Sequence, residues 1–222
     1  MRLADYDQKP GKKVWLEQRE LDRLIDTTDS PEERVAFLLG GKCGLRRQEV
    51  ADVTPADFVA THGHHRVRVW EGKRDKYREV PVSQELYYTA NTLASDLDAD
   101  ESVVGVHAST LYDWVKRAAK QRQVESNDRG WQYLDFHDLR RTWGTYLVGR
   151  GVNPSLIMQW GGWDDWETFR TNYLGEMSPE VDRREQQKVP WLADGEVDLA
   201  DPDVHTLPMG TKPARADGGQ QG

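Results

Sequence analysis

The sequence predicts a mainly α domain carrying one small antiparallel β-sheet. Apolar residues recur at helical spacing along most of the chain, whereas Arg66-Val67-Arg68-Val69-Trp70 and Arg78-Glu79-Val80-Pro81-Val82 alternate in period two. Its 222 residues allow one well-buried domain with a small appendage at most.

Residues 1–14 mix Lys9, Pro10, Gly11, Lys12 and Lys13 without periodicity, which predicts an N-terminal arm or loop. From Trp15 to Ile25, the apolar set Leu16, Leu21, Leu24 and Ile25 fits a helix. Ser30-Pro31-Glu32-Glu33 supplies an N-cap, a proline at the first helical position and acids in the first turn. That second helix is expected to end at the Gly40-Gly41 pair. Arg46 follows a turn at Gly44 and precedes a short amphipathic stretch through Val50, Ala51 and Val53. The two alternating segments make a hairpin with Lys73 and Lys76 at its tip.

Beyond Ser83 the period returns to helical, first through Leu86, Tyr87, Ala90 and Leu93, then through Leu111, Trp114, Val115, Ala118 and Ala119. The second of these helices turns Lys116, Arg117, Lys120 and Arg122 to its other side. Residues 139–147, 154–160 and 165–174 also read as helical, and Ser178-Pro179-Glu180 opens a short helix after them. The expected organisation is an arm over 1–14, one domain over 15–192, and an acidic, disordered tail over 193–222.

Composition narrows the function classes. A lone Cys43 excludes an internal disulfide framework and a cysteine-rich zinc site, and reads as a small buried residue. There is no apolar run of bilayer-crossing length and no signal-peptide pattern, so the expected location is cytoplasmic, without a membrane partner. Formal net charge is −8, half of it in residues 193–222, where six acids meet Lys212 and Arg215. The acidic, Arg-over-Lys body resembles chains that stay soluble in a salty cytoplasm. His62, His64 and His65 read as an exposed turn, because neither a cysteine nor a second ligand pair lies nearby.

Four segments carry chemistry suited to one phosphate: Gly44-Leu45-Arg46-Arg47-Gln48-Glu49, Gly72-Lys73 with the strand to Pro81, His137-Asp138-Leu139-Arg140, and Gly162-Trp163 with Tyr173 beyond. A phosphodiester attacked by a phenol develops charge on its equatorial oxygens, which guanidinium forks hold well, so Arg46 and Arg140 are the candidate clamp. His137 and Arg140 lie three apart, neighbours on one helical face. The Trp163 indole is a donor only. Lys73 is the candidate general acid for the leaving 5′ oxygen, with Lys76 as its rival in the same turn, and His137 could assist with the phenol proton. Glu49 reads as an acid that orients an arginine. Tyr133 and Tyr146 compete with Tyr173 for the role of nucleophile.

These segments, in this order, resemble the tyrosine recombinase, or phage integrase, family over roughly residues 14 to 190. Its first box places an arginine after Gly-Leu with an acid three residues on, matched by Arg46 and Glu49. Its hairpin lysine follows a glycine and precedes a basic strand ending in Val-Pro, as Lys73 does. Its second box is His-x-x-Arg, matched by His137 and Arg140, and its last donor is a His or Trp after glycine, matched by Trp163. The nucleophilic tyrosine usually lies about nine residues further; Tyr173 lies ten beyond Trp163.

The resemblance implies a recombinase catalytic-domain fold that cleaves and rejoins double-stranded DNA through a 3′-phosphotyrosyl intermediate. No cofactor and no metal are expected, since arginines supply the charge a two-metal site would. It further implies a homotetramer on two DNA sites, with a free monomer as an allowed state, and Tyr173 acting in its own or a neighbour's site. Fewer than about fifteen residues precede the match, whereas most members carry an N-terminal helical clamp there, so the chain reads as a stand-alone catalytic domain or as a piece of a longer protein. Lys76, Arg78, Lys116, Arg117 and Lys120 are the DNA-binding candidates. An idle DNA-binding protein of the same fold and a type IB topoisomerase-like relaxing enzyme are the competing readings.

Overall fold

A hairpin, not an arm, opens the chain in the computed structural model, which describes residues 1–6, 10–61, 63–70, 77–174, 179–189 and 192. Strands β1 (Arg2–Asp5) and β2 (Lys12–Trp15) pair antiparallel with Arg2 opposite Trp15. What holds them lies far off in sequence, so no local pattern announces it. Val14 is fully buried, its N–H donates to Asp138 Oδ1 at 3.2 Å, and the N–H of Leu16 donates to Thr142 Oγ1 at 3.0 Å.

Helix α1 (Gln18–Ile25) buries Leu21, Leu24 and Ile25, and α2 (Pro31–Lys42) starts where the Ser30 hydroxyl accepts from the Glu33 N–H. The second helix runs through Gly40 and Gly41 instead of stopping there. A β-carbon at 40 would lie 2.9 Å from the Phe136 ring and one at 41 would lie 2.6 Å from Leu21, so the pair lets α2 approach its neighbours closely. That packing outweighs the roughly 1 kcal/mol a mid-helix glycine costs relative to alanine. Helix α3 (Arg47–Asp52) follows directly.

The sheet has three strands, β3 (Phe58–Thr61), β4 (His64–Val69) and β5 (Arg78–Pro81), all antiparallel in the order β3-β4-β5. The expected hairpin is β4–β5, with Val67 opposite Val80 and Val69 opposite Arg78. Four-residue β3 is too short to stand out as a period. His64 and His65 belong to β4 rather than a turn, and His65 stacks on Tyr87 with ring centroids 4.1 Å apart. His62, Lys73 and Lys76 lie outside the described residues.

Helices α4 (Gln84–Leu93) and α5 (Ala108–Ser126) follow the sequence expectation. Helix α6 (Phe136–Gly149) runs through the core, burying Phe136, Leu139, Trp143 and Val148 together with the polar Asp138, Arg140, Arg141 and Thr142. After it come α7 (Pro154–Gly161), the short α8 (Trp166–Phe169), and a wider π-helical turn, Arg170–Leu174. Helix α9 (Pro179–Gln187) closes the described elements. The chain divides into two compact units, Met1–Val181 and Asp182–Gly222, and everything above except the end of α9 belongs to the first. No described helix is long and apolar enough to cross a membrane.

Candidate active site

Five of the six residues expected to carry chemistry, Arg46, His137, Arg140, Trp163 and Tyr173, line one cleft of about 340 Å³. Arg141, Gly162, Asp164, Asp165 and Thr168 complete its wall. Lys73, the sixth, lies outside the described residues.

Each side chain is placed by a local device. Gly44 adopts φ +68°, a left-handed conformation that side chains resist, and a β-carbon there would also strike the Trp143 indole at 2.2 Å. The chain can therefore turn tightly over α6 before Arg46, the N-cap of α3. Arg46 is then held by Glu49: its N–H donates to Glu49 Oε2 and its Nη1 to Oε1, both at 2.7 Å. Its Nη2 lies 3.4 Å from the Gly162 carbonyl, across 116 residues of sequence.

Glu49 receives a second arginine from the sheet. Arg78 Nη1 and Nη2 donate to its two oxygens at 3.0 and 2.6 Å, and Arg78 Nε donates to the Trp160 carbonyl at 2.8 Å. Burial pushes the Glu49 carboxyl up, but the bonds and charges of Arg78 and Arg46 overcome it and hold the group at about 2. It is a carboxylate at neutral pH.

On α6, Arg140 is only 1 % exposed, and its two terminal nitrogens donate to the carbonyls of Gly44 and Gly161. Two of the five guanidinium donors are thereby used in fixing the group, leaving others for an anion. Burial and the nearby charge of Arg46 lower its pKa to about 10, so it stays cationic at neutral pH. One turn earlier, His137 is pushed down to about 4 by crowding of protein atoms and by the charges of Arg141 and Arg140. Its outer side is open to solvent, which weakens the crowding contribution; repulsion by the guanidiniums keeps the direction, a neutral imidazole at pH 7.

Trp163 follows Gly162, the left-handed cap of α7. The Arg140 guanidinium lies over the Trp163 ring, 4.1 Å from its centroid, and the Tyr173 ring lies 4.4 Å away. Tyr173 also stacks on Phe169 at 5.3 Å, is 5 % exposed, and sits in the π-helical turn. Such a turn rotates a side chain away from where an α-helix would aim it. Tyr133 and Tyr146 are not among the cleft residues; Tyr146 bonds Gln18 at the surface.

Three of the expected backbone-binding cations are committed within the protein. Arg78 is buried beneath Glu49 rather than displayed on the hairpin, because it shares the inward face of β5 with Val80. Arg117 pairs with Asp29 and Glu33, joining α5 to the start of α2. Lys116 donates to the carbonyls of Gln132 and Leu134 at 3.2 and 2.7 Å, closing the chain after α5. Lys120 is exposed, and Lys76 lies outside the described residues. Arg141, whose sequence position reads as a salt-bridge or surface residue, is buried in a salt bridge with Asp138 and reaches the cleft wall. Its position next to Arg140 carries no signal of its own; only the burial of Asp138 beside it demands a cation.

With this architecture and cleft, the first unit has the tyrosine recombinase catalytic fold. The chain belongs to the phage integrase family, whose sequence model matches residues 14–177. It is 27 % identical over 200 residues to an integrase of Salmonella phage P22, a match covering 81 % of this chain and 50 % of that protein. It is 22 % identical over 153 residues to a tyrosine recombinase of Thermosipho africanus, covering 65 % and 51 %. The chain thus spans about half the length of the curated relatives it matches. Among solved structures, XerA recombinase superposes with a TM-score of 0.63 at 19 % identity, covering 79 % of this chain and 64 % of that one. XerH recombinase bound to its difH substrate superposes at 0.61, with 19 % identity and coverage of 80 % and 54 %.

Proposed function

We propose that this chain is the catalytic part of a site-specific recombinase that cleaves and rejoins double-stranded DNA through Tyr173. The observation that carries the reading is the convergence of Tyr173 with Arg46, His137, Arg140 and Trp163, drawn from three separate segments, on one cleft. Family membership supports it, and so does the DNA held by a solved protein of the same fold.

In this reading the Tyr173 hydroxyl attacks a phosphate in line. A bond forms between the phenolic oxygen and phosphorus, and the bond from phosphorus to the 5′ oxygen breaks, leaving a 3′-phosphotyrosyl link. Arg46 and Arg140 hold the equatorial oxygens, where charge accumulates, and the Trp163 indole N–H donates to one of them. Neutral His137 accepts the phenol proton, and Lys73 protonates the departing 5′ oxygen. Attack by a 5′ hydroxyl of a second strand reverses the steps and rejoins the DNA. Four chains on two sites, in the cytoplasm, are the working assembly, with residues 15–192 as the catalytic domain, the acidic 193–222 segment as its tail and the segment after Tyr173 as a contact between neighbours.

The test is a nicked suicide DNA bearing the recombination site, from which the cleaved fragment escapes. Wild type is expected to give a denaturation-resistant protein–DNA adduct, and Tyr173→Phe none. No adduct from wild type, or an adduct that persists in Tyr173→Phe, overturns the reading. Joined recombinants, rather than relaxed circles, then separate recombination from relaxation.

A further inference from the structure

We propose that Arg78 is a positioning residue for the phosphate clamp: through Glu49 it fixes the Arg46 guanidinium in the cleft, and through Trp160 it ties that setting to the turn carrying Trp163. This rests on the recombinase reading above but concerns a residue with no contact to the reacting atoms.

The geometry is a closed ring of contacts. A carboxylate offers about four acceptor positions. Glu49 fills them with the Arg46 N–H, Arg46 Nη1, Arg78 Nη1 and Arg78 Nη2. Glu49 cannot rotate without breaking bonds to both arginines. From Arg78 the ring continues through Nε to the Trp160 carbonyl, and the Arg78 stem lies against Gly162, where a β-carbon would come within 3.2 Å of Arg78 Cδ. Gly162 then closes it by accepting from Arg46 Nη2. Strands, the first arginine and the Trp163 turn are thereby one mechanical unit.

Charge gives the arrangement a second consequence. Arg46 and Glu49 alone would form a neutral pair, with Glu49 competing against any phosphate for the guanidinium. Arg78 shares that carboxylate, so the three groups together keep one net positive charge facing the cleft. Arg78 cannot deliver the charge itself, being 6 % exposed and turned inward. Lysine could keep the charge at this position but not the fork, nor the simultaneous bond to Trp160.

The experiment is single-turnover adduct formation on suicide DNA at saturating concentration, with DNA affinity measured across salt. It uses wild type, Arg78→Lys, Arg78→Met, Glu49→Gln and the Arg78→Met/Glu49→Gln double variant, with thermal unfolding to count folded protein. Arg78→Met is expected to slow cleavage on the order of 10²-fold, the scale of a misplaced reacting geometry, with DNA affinity falling by much less than the rate. Arg78→Lys is expected to recover part of the rate, and it carries the test alone if Arg78→Met does not fold. In the Glu49→Gln background, Arg78→Met should add little. The proposal is overturned if affinity falls as far as the rate does, if the rate per folded molecule is unchanged, or if the loss is as large without Glu49. A wild type that forms no adduct overturns the functional reading itself, and this proposal with it.

Discussion

The ring of Tyr173 lies on Gly144 of α6: a β-carbon at 144 would come within 2.6 Å of Tyr173 Cδ1 and 3.0 Å of Cε1. The proposed nucleophile is therefore seated against backbone, with Trp163 and Phe169 against its ring. Gly144→Ala should displace it. Alanine is the better helix former by about 1 kcal/mol, so any loss comes from the tyrosine and not from the helix. Adduct formation is expected to fall about 10-fold or more while DNA affinity holds. A variant with wild-type cleavage would show that the seat of Tyr173 does not matter.

His137 should make the protein less stable in mild acid. The unfolded chain takes a proton near its ordinary 6.5, whereas the folded His137 does so only at about 4. Across that window the unfolded state binds more protons, so stability is lost as pH falls. Urea midpoints between pH 4.5 and 7.5 should show this slope in wild type and a flatter one in His137→Asn. The neutral imidazole also stays a proton acceptor below its ordinary 6.5. A wild-type cleavage profile with a histidine-like inflection near 6.5 would contradict the assignment.

Glu49 gives a second acid-sensitive contribution, in a lower window. Its folded pKa, about 2, lies below the ordinary 4.5, so its stabilisation is complete above the latter and is lost as pH falls towards the former. Glu49→Gln removes that dependence. It also leaves Arg78 buried without its counter-charge, a loss of about 3–5 kcal/mol by the usual cost of breaking a buried pair. Urea unfolding at pH 3 and pH 7 measures both effects. An unchanged acid slope in the variant would show that Glu49 is not the group responsible.

The basic side of α5 should split into two behaviours. Exposed Lys120 is available to a DNA backbone, so Lys120→Ala is expected to weaken binding evenly across sequences and lower the salt slope by about 1. Arg117 is occupied by Asp29 and Glu33, so Arg117→Ala is expected to destabilise the α5 to α2 junction and leave the salt slope alone. Salt titrations of DNA affinity, paired with melting curves, distinguish the two. Equal slopes for wild type and Lys120→Ala would remove this helix from the DNA contact.

Much of this was legible in the chain as written. Helices with local caps, such as Ser30-Pro31 and the Ser83 start of α4, fall where the pattern predicts, because their stabilising partners lie within a turn. The β4–β5 hairpin is legible for the same reason: strand alternation is a nearest-neighbour property. The N-terminal hairpin was not, since Val14 is anchored to Asp138, 124 residues away. Nor was the continuation of α2 through two glycines, which only the closeness of Phe136 and Leu21 explains.

For the site, Arg46 and Trp163 follow glycine turns and His137 and Arg140 share a helical face, and the order of these motifs, by its resemblance to the tyrosine recombinase family, adds Glu49 and Tyr173. Sequence could not say which cations face outward. Arg78 and Arg117 look like surface charges in a basic run, and the period-two pairing of Arg78 with Val80 is the one local hint of burial. Their fates depend on carboxylates 29 and 84 residues away, Glu49 and Glu33. The sequence by itself determined the fold class and the candidate groups proposed to act on a phosphate; the tertiary structure alone decided which charges face the cleft and which are tied beneath it. Local periodicity registers only neighbours within a turn or across a hairpin, whereas a buried charge must find its partner wherever the fold brings one within hydrogen-bond reach.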